Sequence, residues 1–144
     1  MVLRICRSLL SQAEAEDAWS ETFLSALRAY PDLSVDSNVA GWLSTIAYRK
    51  SIDQLREPRR SEVPVDGVAE VSREDPAGDG IDPILRDALL TLPPKQQGAV
   101  IHRYLADLSY AEVALHLECT QAAARRSAAD GIAAIRSILQ KGLS

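Results

Sequence analysis

The chain has 144 residues, of which 47% are hydrophobic and 25% are charged, and its formal net charge is −4. This is the size of one medium domain or two small ones, with enough apolar residues for a core. No apolar stretch is long enough to span a membrane, and the opening segment is too short and too evenly charged for a signal peptide. Cys6 and Cys119 lie far apart in the sequence, which suggests free thiols. We therefore expect a cytoplasmic protein without membrane insertion.

The charges are distributed unevenly along the chain. Residues 1–56 carry six basic and seven acidic side chains, residues 57–82 carry three and eight, and residues 83–144 carry seven and five. The middle segment is also rich in proline and glycine and poor in large apolar residues, which predicts a flexible acidic linker between two helical lobes. Both lobes are near neutral. The acidic total does not exclude nucleic-acid binding, because local patches decide it.

Periodic apolar residues predict three helices in the first lobe. The first covers residues 1–10, and the second begins at a capping box formed by Ser11 and Glu14 and ends at Pro31. The apolar residues of the second helix are predicted to form its buried stripe: Ala15, Ala18, Trp19, Phe23, Ala26, Leu27 and Tyr30. The third helix is predicted over residues 39–56.

This third helix combines aromatic and basic residues. Trp42 and Tyr48 are interleaved with Arg49, Lys50 and Arg56. The combination is typical of a platform on which unpaired bases stack while cations hold the phosphates. The alternative is a tryptophan that faces the core beside a solvated basic edge, and this is the commoner arrangement for such a pattern.

The second lobe begins with two predicted helices. A short helix starts after Asp82 and stops at Leu92, and another starts at Pro93 and Pro94 and continues to about Ala106. Tandem prolines suit a helix start because the first amides of a helix have no partner within it.

Residues 109–126 predict a helix-turn-helix. Ser109 and Glu112 form a capping box for its first helix, and Thr120 can cap the second, which leaves a tight turn between them. The apolar stripe of the first helix is Val113, Ala114 and Leu117. The second member of such a motif is shaped to enter a DNA groove, whereas an ordinary helical hairpin inside an all-helical core is the alternative.

The last helix is predicted from Gln121 towards Leu139. Its apolar stripe is Ala124, Ala128, Ile132, Ile135 and Leu139. On a helical wheel Arg126 points almost opposite this stripe, while Arg125 and Arg136 flank it. Arg126 is therefore the side chain of this helix best placed to reach outward.

The sequence contains no convincing catalytic or metal-binding pattern. His116 and Cys119 are three residues apart, but a metal site needs two more ligands that the sequence does not supply. We interpret them as a surface histidine and a turn cysteine. No phosphate-binding glycine loop or catalytic triad is evident, so we expect no enzymatic activity, no cofactor and no metal.

Three segments, in this order, resemble motifs of the bacterial sigma-70 family of RNA polymerase sigma factors. The first is similar to the helix that binds core RNA polymerase, the second to the helix that melts and reads the −10 promoter element, and the third to the lobe that reads the −35 element. They are residues 15–24, residues 41–47 with 52–56, and residues 92–96 with 103–104 and 108–114. The resemblance is to the compact, two-lobed extracytoplasmic-function group and covers nearly the whole chain.

The resemblance implies an all-α fold with two small domains. Residues 1–56 correspond to region 2, residues 57–82 to an acidic linker and residues 83–144 to region 4, a helix-turn-helix domain. The implied partners are core RNA polymerase and promoter DNA, and the group often has an anti-sigma factor clamped between its lobes.

The resemblance also implies residue roles. The residues that would face core polymerase are Asp17, Ser20, Glu21 and Leu24. Those at the −10 strand would be Trp42, Arg49, Lys50 and Arg56, with Arg59 and Arg60 near its phosphates. At the −35 element Arg103 would hold a phosphate, and the residues approaching the major groove would be Thr120, Gln121, Arg125 and Arg126.

Departures from the family pattern affect three places. The family usually has about one more helical segment before the position of Met1, so we expect a truncated first helix. Arg49 stands where the family often has asparagine, which would alter the base that is accepted. Glu118 replaces the usual turn glycine, so either this residue is strained or the turn differs.

The last helix departs further. Its positions that are commonly basic or polar in the family hold Ser127, Ala129 and Asp130. Gly131 inside the helix costs about 1 kcal/mol relative to alanine. We therefore expect weak or atypical contact with the −35 element.

These observations favour a transcription initiation factor that binds core RNA polymerase and directs it to promoters by −10 and −35 recognition. Two alternatives remain open at this point. One is a protein-interaction module or decoy built on degenerate sigma lobes. The other is a helix-turn-helix DNA-binding regulator that acts without polymerase.

Overall fold

Helices account for all regular secondary structure in the part of the chain that the computed structural model describes, residues 1–56 and 81–143. In chain order they are α1 (Val2–Leu9), α2 (Gln12–Ala29), α3 (Val39–Arg56), α4 (Pro83–Thr91), α5 (Pro94–Val100), α6 (Tyr110–Leu117) and α7 (Gln121–Leu143). A 3-10 turn, Tyr30–Asp32, follows α2, and a π turn, Ile101–Leu105, extends α5. The all-α class is confirmed. Most of the predicted linker, with Arg59 and Arg60, lies outside the described residues.

Side-chain caps fix the predicted helix starts. The backbone N–H of Ser11 donates to the Glu14 carboxylate at 3.4 Å. The Ser109 hydroxyl accepts from the N–H of Glu112 at 3.2 Å, and the Thr120 hydroxyl accepts from an amide in the first turn of α7 at 3.0 Å. Each bond satisfies an amide that has no partner inside its own helix.

Helix α2 does not bury the whole apolar stripe that the sequence predicts. Its buried residues are Ala15, Ala18, Thr22 and Ala26. Trp19, Leu27 and Tyr30 are instead 43%, 72% and 62% exposed. The predicted burial is wrong for these three residues, because α2 packs on α1 and α3 through small side chains and the large ones lie on the flank of the contact.

One hydrophobic core runs through both predicted lobes. Helix α1 supplies the buried residues Ile5 and Leu9, with Leu10 buried at its C-cap, and it packs against α2 and α3 and also against α4 of the second lobe. The core continues into the second lobe through Leu89 and Ile101. The sequence did not indicate whether the two lobes contact each other, and in the structure they do.

The helix-turn-helix has its predicted stripes and a strained turn. Val113 on α6 and Ala124 and Ala128 on α7 are buried. Glu118 adopts the left-handed conformation, with φ 58° and ψ 51°. Of the two alternatives for this glutamate, the strained one is observed, and the left-handed conformation costs a non-glycine residue about 1–2 kcal/mol.

Gly131 lies where α7 crosses α5. A Cβ atom at this position would lie 2.6 Å from Cγ2 of Val100 and 3.3 Å from the carbonyl oxygen of Gln96. The glycine thus allows the two helices to approach more closely than alanine would. This close contact offsets the low helix propensity of glycine.

Candidate nucleic-acid and partner interfaces

The solvent face of α2 carries the four side chains that the resemblance assigns to core polymerase: Asp17, Ser20, Glu21 and Leu24. All four are exposed, and helical spacing places them in one arc opposite the buried alanines. Two carboxylates and a hydroxyl therefore surround a leucine that is 47% exposed. An apolar side chain left in water among polar ones is typical of a protein-binding surface.

Exposed aromatic and apolar residues flank this face, and the sequence analysis missed them. The ring of Trp19 packs on that of Phe23, with centroids 5.0 Å apart. The ring of Tyr30 lies 6.4 Å from that of Trp42 on α3. A signal for them was present in the sequence. The small residues of α2 form a separate stripe that by itself accounts for the buried side of the helix, so the large apolar residues beside that stripe have to lie elsewhere. We refer to Trp19, Leu27 and Tyr30, together with the four residues of the solvent face, as the α2 surface.

Helix α3 places its candidate DNA-binding residues away from its own buried side. The buried residues of α3 are Gly41, Ser44, Ala47 and Ser51. Trp42, Arg49 and Arg56 share the opposite face, with Trp42 half-buried and both arginines exposed. Lys50 is half-buried at the edge of this face. The structure thus brings an aromatic ring and cations onto one helix face, as a single-strand platform requires.

Helix α6 of the second lobe lies beside this face of α3, next to Gly41 and Thr45. The two helices line a cleft of about 500 Å³, to which α3 contributes Trp42, Thr45 and Arg49 and α6 contributes Glu112 and His116. At the edge of the cleft the hydroxyl of Thr45 lies 2.7 Å from Nδ1 of His116. We refer to the contact of α3 with α5, the π turn and α6 as the lobe seam. The interpretation of His116 as a surface histidine is wrong, since it is partly buried in this seam.

A second hydrogen bond crosses the lobe seam beside the first. The Tyr48 hydroxyl donates to Oε1 of Gln97 at 2.6 Å, and the Gln97 amide donates to the carbonyl oxygen of Leu89 at 2.9 Å. Burial raises the pKa of Tyr48 to about 12, so its hydroxyl keeps the proton that it donates. The first lobe is therefore connected by polar bonds to the interior of the second.

Two histidines stack at the lobe seam. His102 is buried and bonds through Nδ1 to the carbonyl oxygen of Gly98 at 2.8 Å, and its ring stacks on that of His116 with centroids 5.4 Å apart. Burial lowers the pKa of both histidines, and the positive charge of the nearby Arg49 lowers both pKa values further. The carboxylate of Glu112 raises the pKa of His116, but by less than burial lowers it. Both rings are therefore neutral in the folded protein at neutral pH.

We expect the folded state to lose stability below about pH 6.5, the ordinary histidine pKa. The lowered folded-state pKa means that the unfolded chain binds more protons below this pH, whereas both states are neutral above it. Urea unfolding between pH 7.5 and pH 5.5 measures the effect. His116→Asn retains a polar group beside Thr45 and should show a smaller decrease. A free energy of unfolding that stays constant over this range would contradict the expectation.

The first turns of α7 present the candidate major-groove residues to solvent. Thr120, Gln121, Arg125 and Arg126 are all exposed. The next turn offers Ala129 and Asp130, both exposed, so a carboxylate follows the arginines. The cationic part of this surface is therefore short.

Arg103 is held within the second lobe. Its guanidinium donates to the carbonyl oxygen of Leu108 at 2.9 Å and lies over the ring of Tyr110, 4.8 Å from its centroid. Arg125 lies over the same ring at 4.7 Å. The structure thus brings Arg103 of the π turn and Arg125 of α7 together at one aromatic side chain that sequence reasoning did not single out.

Among residues 1–56 and 81–143, no helix is both long and apolar enough to cross a bilayer. The same residues contain no cluster of histidine, cysteine and carboxylate side chains that could hold a metal ion. Cys6 and Cys119 are both free thiols.

Comparison with known proteins assigns both parts of the chain. Residues 1–61 match the family model of sigma-70 region 2, and residues 83–135 match that of sigma-70 region 4. The RNA polymerase sigma factor CarQ of Myxococcus xanthus is 33% identical over 94% of this chain and 80% of its own length. BldN of Streptomyces coelicolor, an ECF (extracytoplasmic-function) RNA polymerase sigma factor, is 38% identical over 72% of this chain and 42% of its own length. The ECF sigma factor SigK of Mycolicibacterium vanbaalenii is 28% identical over 94% of this chain and 74% of its own length.

Solved structures share the fold. The sigma factor RpoE of Bartonella quintana, crystallised with the anti-sigma factor NepR, superposes with a TM-score of 0.72 at 23% identity, over 96% of this chain and 89% of RpoE. CnrH in complex with the cytosolic domain of CnrY gives a TM-score of 0.71 at 19% identity, over 97% of this chain and 80% of CnrH. The two regions, their order and the relatives confirm the predicted family: the chain belongs to the sigma-70 family, with extracytoplasmic-function sigma factors among its homologues, and it is a transcription initiation factor.

Proposed function

We propose that this chain binds core RNA polymerase through the α2 surface and directs it to promoters through α3 and the helix-turn-helix. The observation that carries the proposal is the solvent face of α2, where Asp17, Glu21 and Leu24 are exposed although no contact among the described residues requires them there. Such a surface contributes nothing to the core of this protein, whereas it suits a partner with complementary apolar and basic groups.

The −10 role is assigned to the face of α3 that carries Trp42, Arg49 and Arg56. Stacking of an unpaired base on an aromatic ring contributes about 1–3 kcal/mol and tolerates any base. The exposed arginines would hold the phosphates of the melted strand, with Lys50 at the edge. The promoter would open because this face of α3 captures the separated bases, without a catalysed reaction.

Helix α6 borders this face at the lobe seam, so we expect the second lobe to move away from α3 when a strand binds there. The polar contacts that would break are those of Thr45 with His116 and of Tyr48 with Gln97. The apolar packing of α1 on α4 would have to separate as well, because the hydrophobic core continues between the lobes there. Residues 1–56 and 83–144 would then act as separate domains on the promoter.

The −35 role is assigned to α7 and the residues around it. Arg126 is exposed and opposite the buried stripe, and an arginine can address guanine bidentately for about 1–3 kcal/mol of discrimination. Because Ala129 and Asp130 follow it, this contact contributes less than in a helix with continuous basic residues. Arg103 and Arg125 would face phosphates.

We place the protein in the cytoplasm, where RNA polymerase acts. An anti-sigma factor is a further proposed partner, supported by the complex of the structural relative RpoE with NepR. Such a partner would compete with core polymerase for the first lobe or hold the lobe seam closed.

Co-purification of the full-length chain with core RNA polymerase tests the proposal. We expect a stoichiometric complex that survives gel filtration. A chain that binds duplex DNA but not core polymerase would instead be a polymerase-independent regulator. A chain that binds core polymerase without supporting initiation would be a decoy, and either outcome would overturn the proposal.

A further inference from the structure

Tyr110, at the start of α6, organises two cations that are far apart in the sequence. The guanidinium of Arg103 lies 4.8 Å from the centroid of the Tyr110 ring, and that of Arg125 lies 4.7 Å from it. The face of a tyrosine ring attracts cations electrostatically, so one side chain draws both arginines towards the same place. Tyr110 itself is half-buried, and its ring is thereby anchored against the helix-turn-helix.

Neither guanidinium forms an ion pair with another residue in the described parts of the chain. The carboxylate of Glu112, on the same helix as Tyr110, points instead towards His116, at 3.8 Å. Arg103 is oriented further by its bond to the carbonyl oxygen of Leu108 at 2.9 Å. Two positive charges therefore lie at one aromatic ring, and neither is paired with an acid among the described residues, so both can bind a nucleic-acid phosphate.

The position of this cluster in the motif matters. The first helix of a helix-turn-helix crosses the DNA backbone, and the start of the second enters the groove. Tyr110 is in the first turn of the first helix, α6, and Arg125 is in the second turn of α7. Arg126, the next residue, is exposed and lies on the far side of α7 from its buried stripe.

We propose that Tyr110 is a positioning residue that holds Arg103 and Arg125 as a paired phosphate clamp, which leaves Arg126 as the base-reading arginine of α7. The clamp rests on the proposed DNA-binding function and deepens it, because it gives different roles to the adjacent residues Arg125 and Arg126. Phosphate contacts fix the register of the protein on the duplex, and base contacts select the sequence.

The test uses the full-length chain and a fluorescent duplex of mixed sequence, titrated between 50 and 200 mM salt. Each phosphate contact contributes about 0.9 to the slope of log K against log salt. Tyr110→Leu should reduce the slope by about 1–2 and weaken binding to all sequences alike, whereas Tyr110→Phe keeps the ring and should retain the wild-type slope. A merely structural role for Tyr110 would not separate these two variants when their melting temperatures are equal.

Arg125→Gln keeps the test decisive if Tyr110→Leu fails to fold, because Arg125 is exposed and outside the core. It should lower the slope by about 1, and Arg136→Gln, at an exposed position further along α7, should leave the slope on mixed-sequence DNA unchanged. Equal slopes for wild type, Tyr110→Leu and Arg125→Gln would overturn the clamp, as would a wild-type chain without salt-dependent binding. Core polymerase binding is measured separately, so its loss would contradict the proposed function and not the clamp.

Discussion

Leu24→Asp is expected to weaken binding of core RNA polymerase at least 30-fold, a loss of about 2 kcal/mol that is typical of a central interface residue. Leu24 is 47% exposed, so the substitution removes no core packing and the melting temperature should not change. In the complex, however, an aspartate at this position would replace the apolar contact of the leucine with a buried charge, which is costly. Fluorescence titration of labelled protein with core polymerase measures the change.

Leu90→Asp is the matched control for this experiment. Leu90 lies on α4 in the other lobe and is 39% exposed, so the chemical change and the exposure are similar. Its affinity for core polymerase should equal that of the wild type. Equal affinities of the two variants would contradict the assignment of the α2 surface, whatever their absolute values.

Gly131→Ala is expected to destabilise the fold by about 1–2 kcal/mol, although the same change in an open helix stabilises by about 1 kcal/mol. The reason is steric, because the added Cβ would lie 2.6 Å from Cγ2 of Val100. Val100 is buried and branched at Cβ, so it has little freedom to move. Thermal unfolding should show a melting temperature lower by about 2–8 °C.

A second substitution tests the steric explanation. Val100→Ala removes the methyl group that would clash, so the double variant Gly131→Ala with Val100→Ala should lose less stability than the sum of the single losses. Ala133→Gly, at an exposed position of the same helix, measures the effect of helix propensity on stability without the contact with Val100. Additive losses in the double variant would show that the clash is not the cause.

Local chemistry made the helices predictable. Helix α3 begins and ends at the predicted residues, Val39 and Arg56, because its periodicity is uninterrupted. The starts of α6 and α7 follow from Ser109 and Thr120, whose side chains cap the nearest amides. A cap acts within four residues, so its pattern is visible in the sequence.

The exposed part of the α2 surface was less predictable. Trp19, Leu27 and Tyr30 have the same helical spacing as core residues, and periodicity alone cannot distinguish a stripe that packs from a stripe beside it. The alanines of α2 fill the narrow space against α1 and α3, and this depends on the distance between the helices. That distance is a tertiary property.

The lobe seam could not be predicted from local patterns at all. Thr45 and His116 are 71 residues apart, and Tyr48 and Gln97 are 49 apart. The two residues of each pair lie on different helices, and no short motif connects them. Tyr110 was overlooked for the same reason, since its contact with Arg103 and Arg125 depends on how three segments pack.

Transcription of sheared genomic DNA by core polymerase, with and without the full-length chain, tests the central claim most directly. We expect new, discrete transcription start sites that share one −10 and one −35 sequence when the chain is present, and loss of these sites with Leu24→Asp. Start sites identical to those of core polymerase alone, under conditions where the chain is folded, would contradict it.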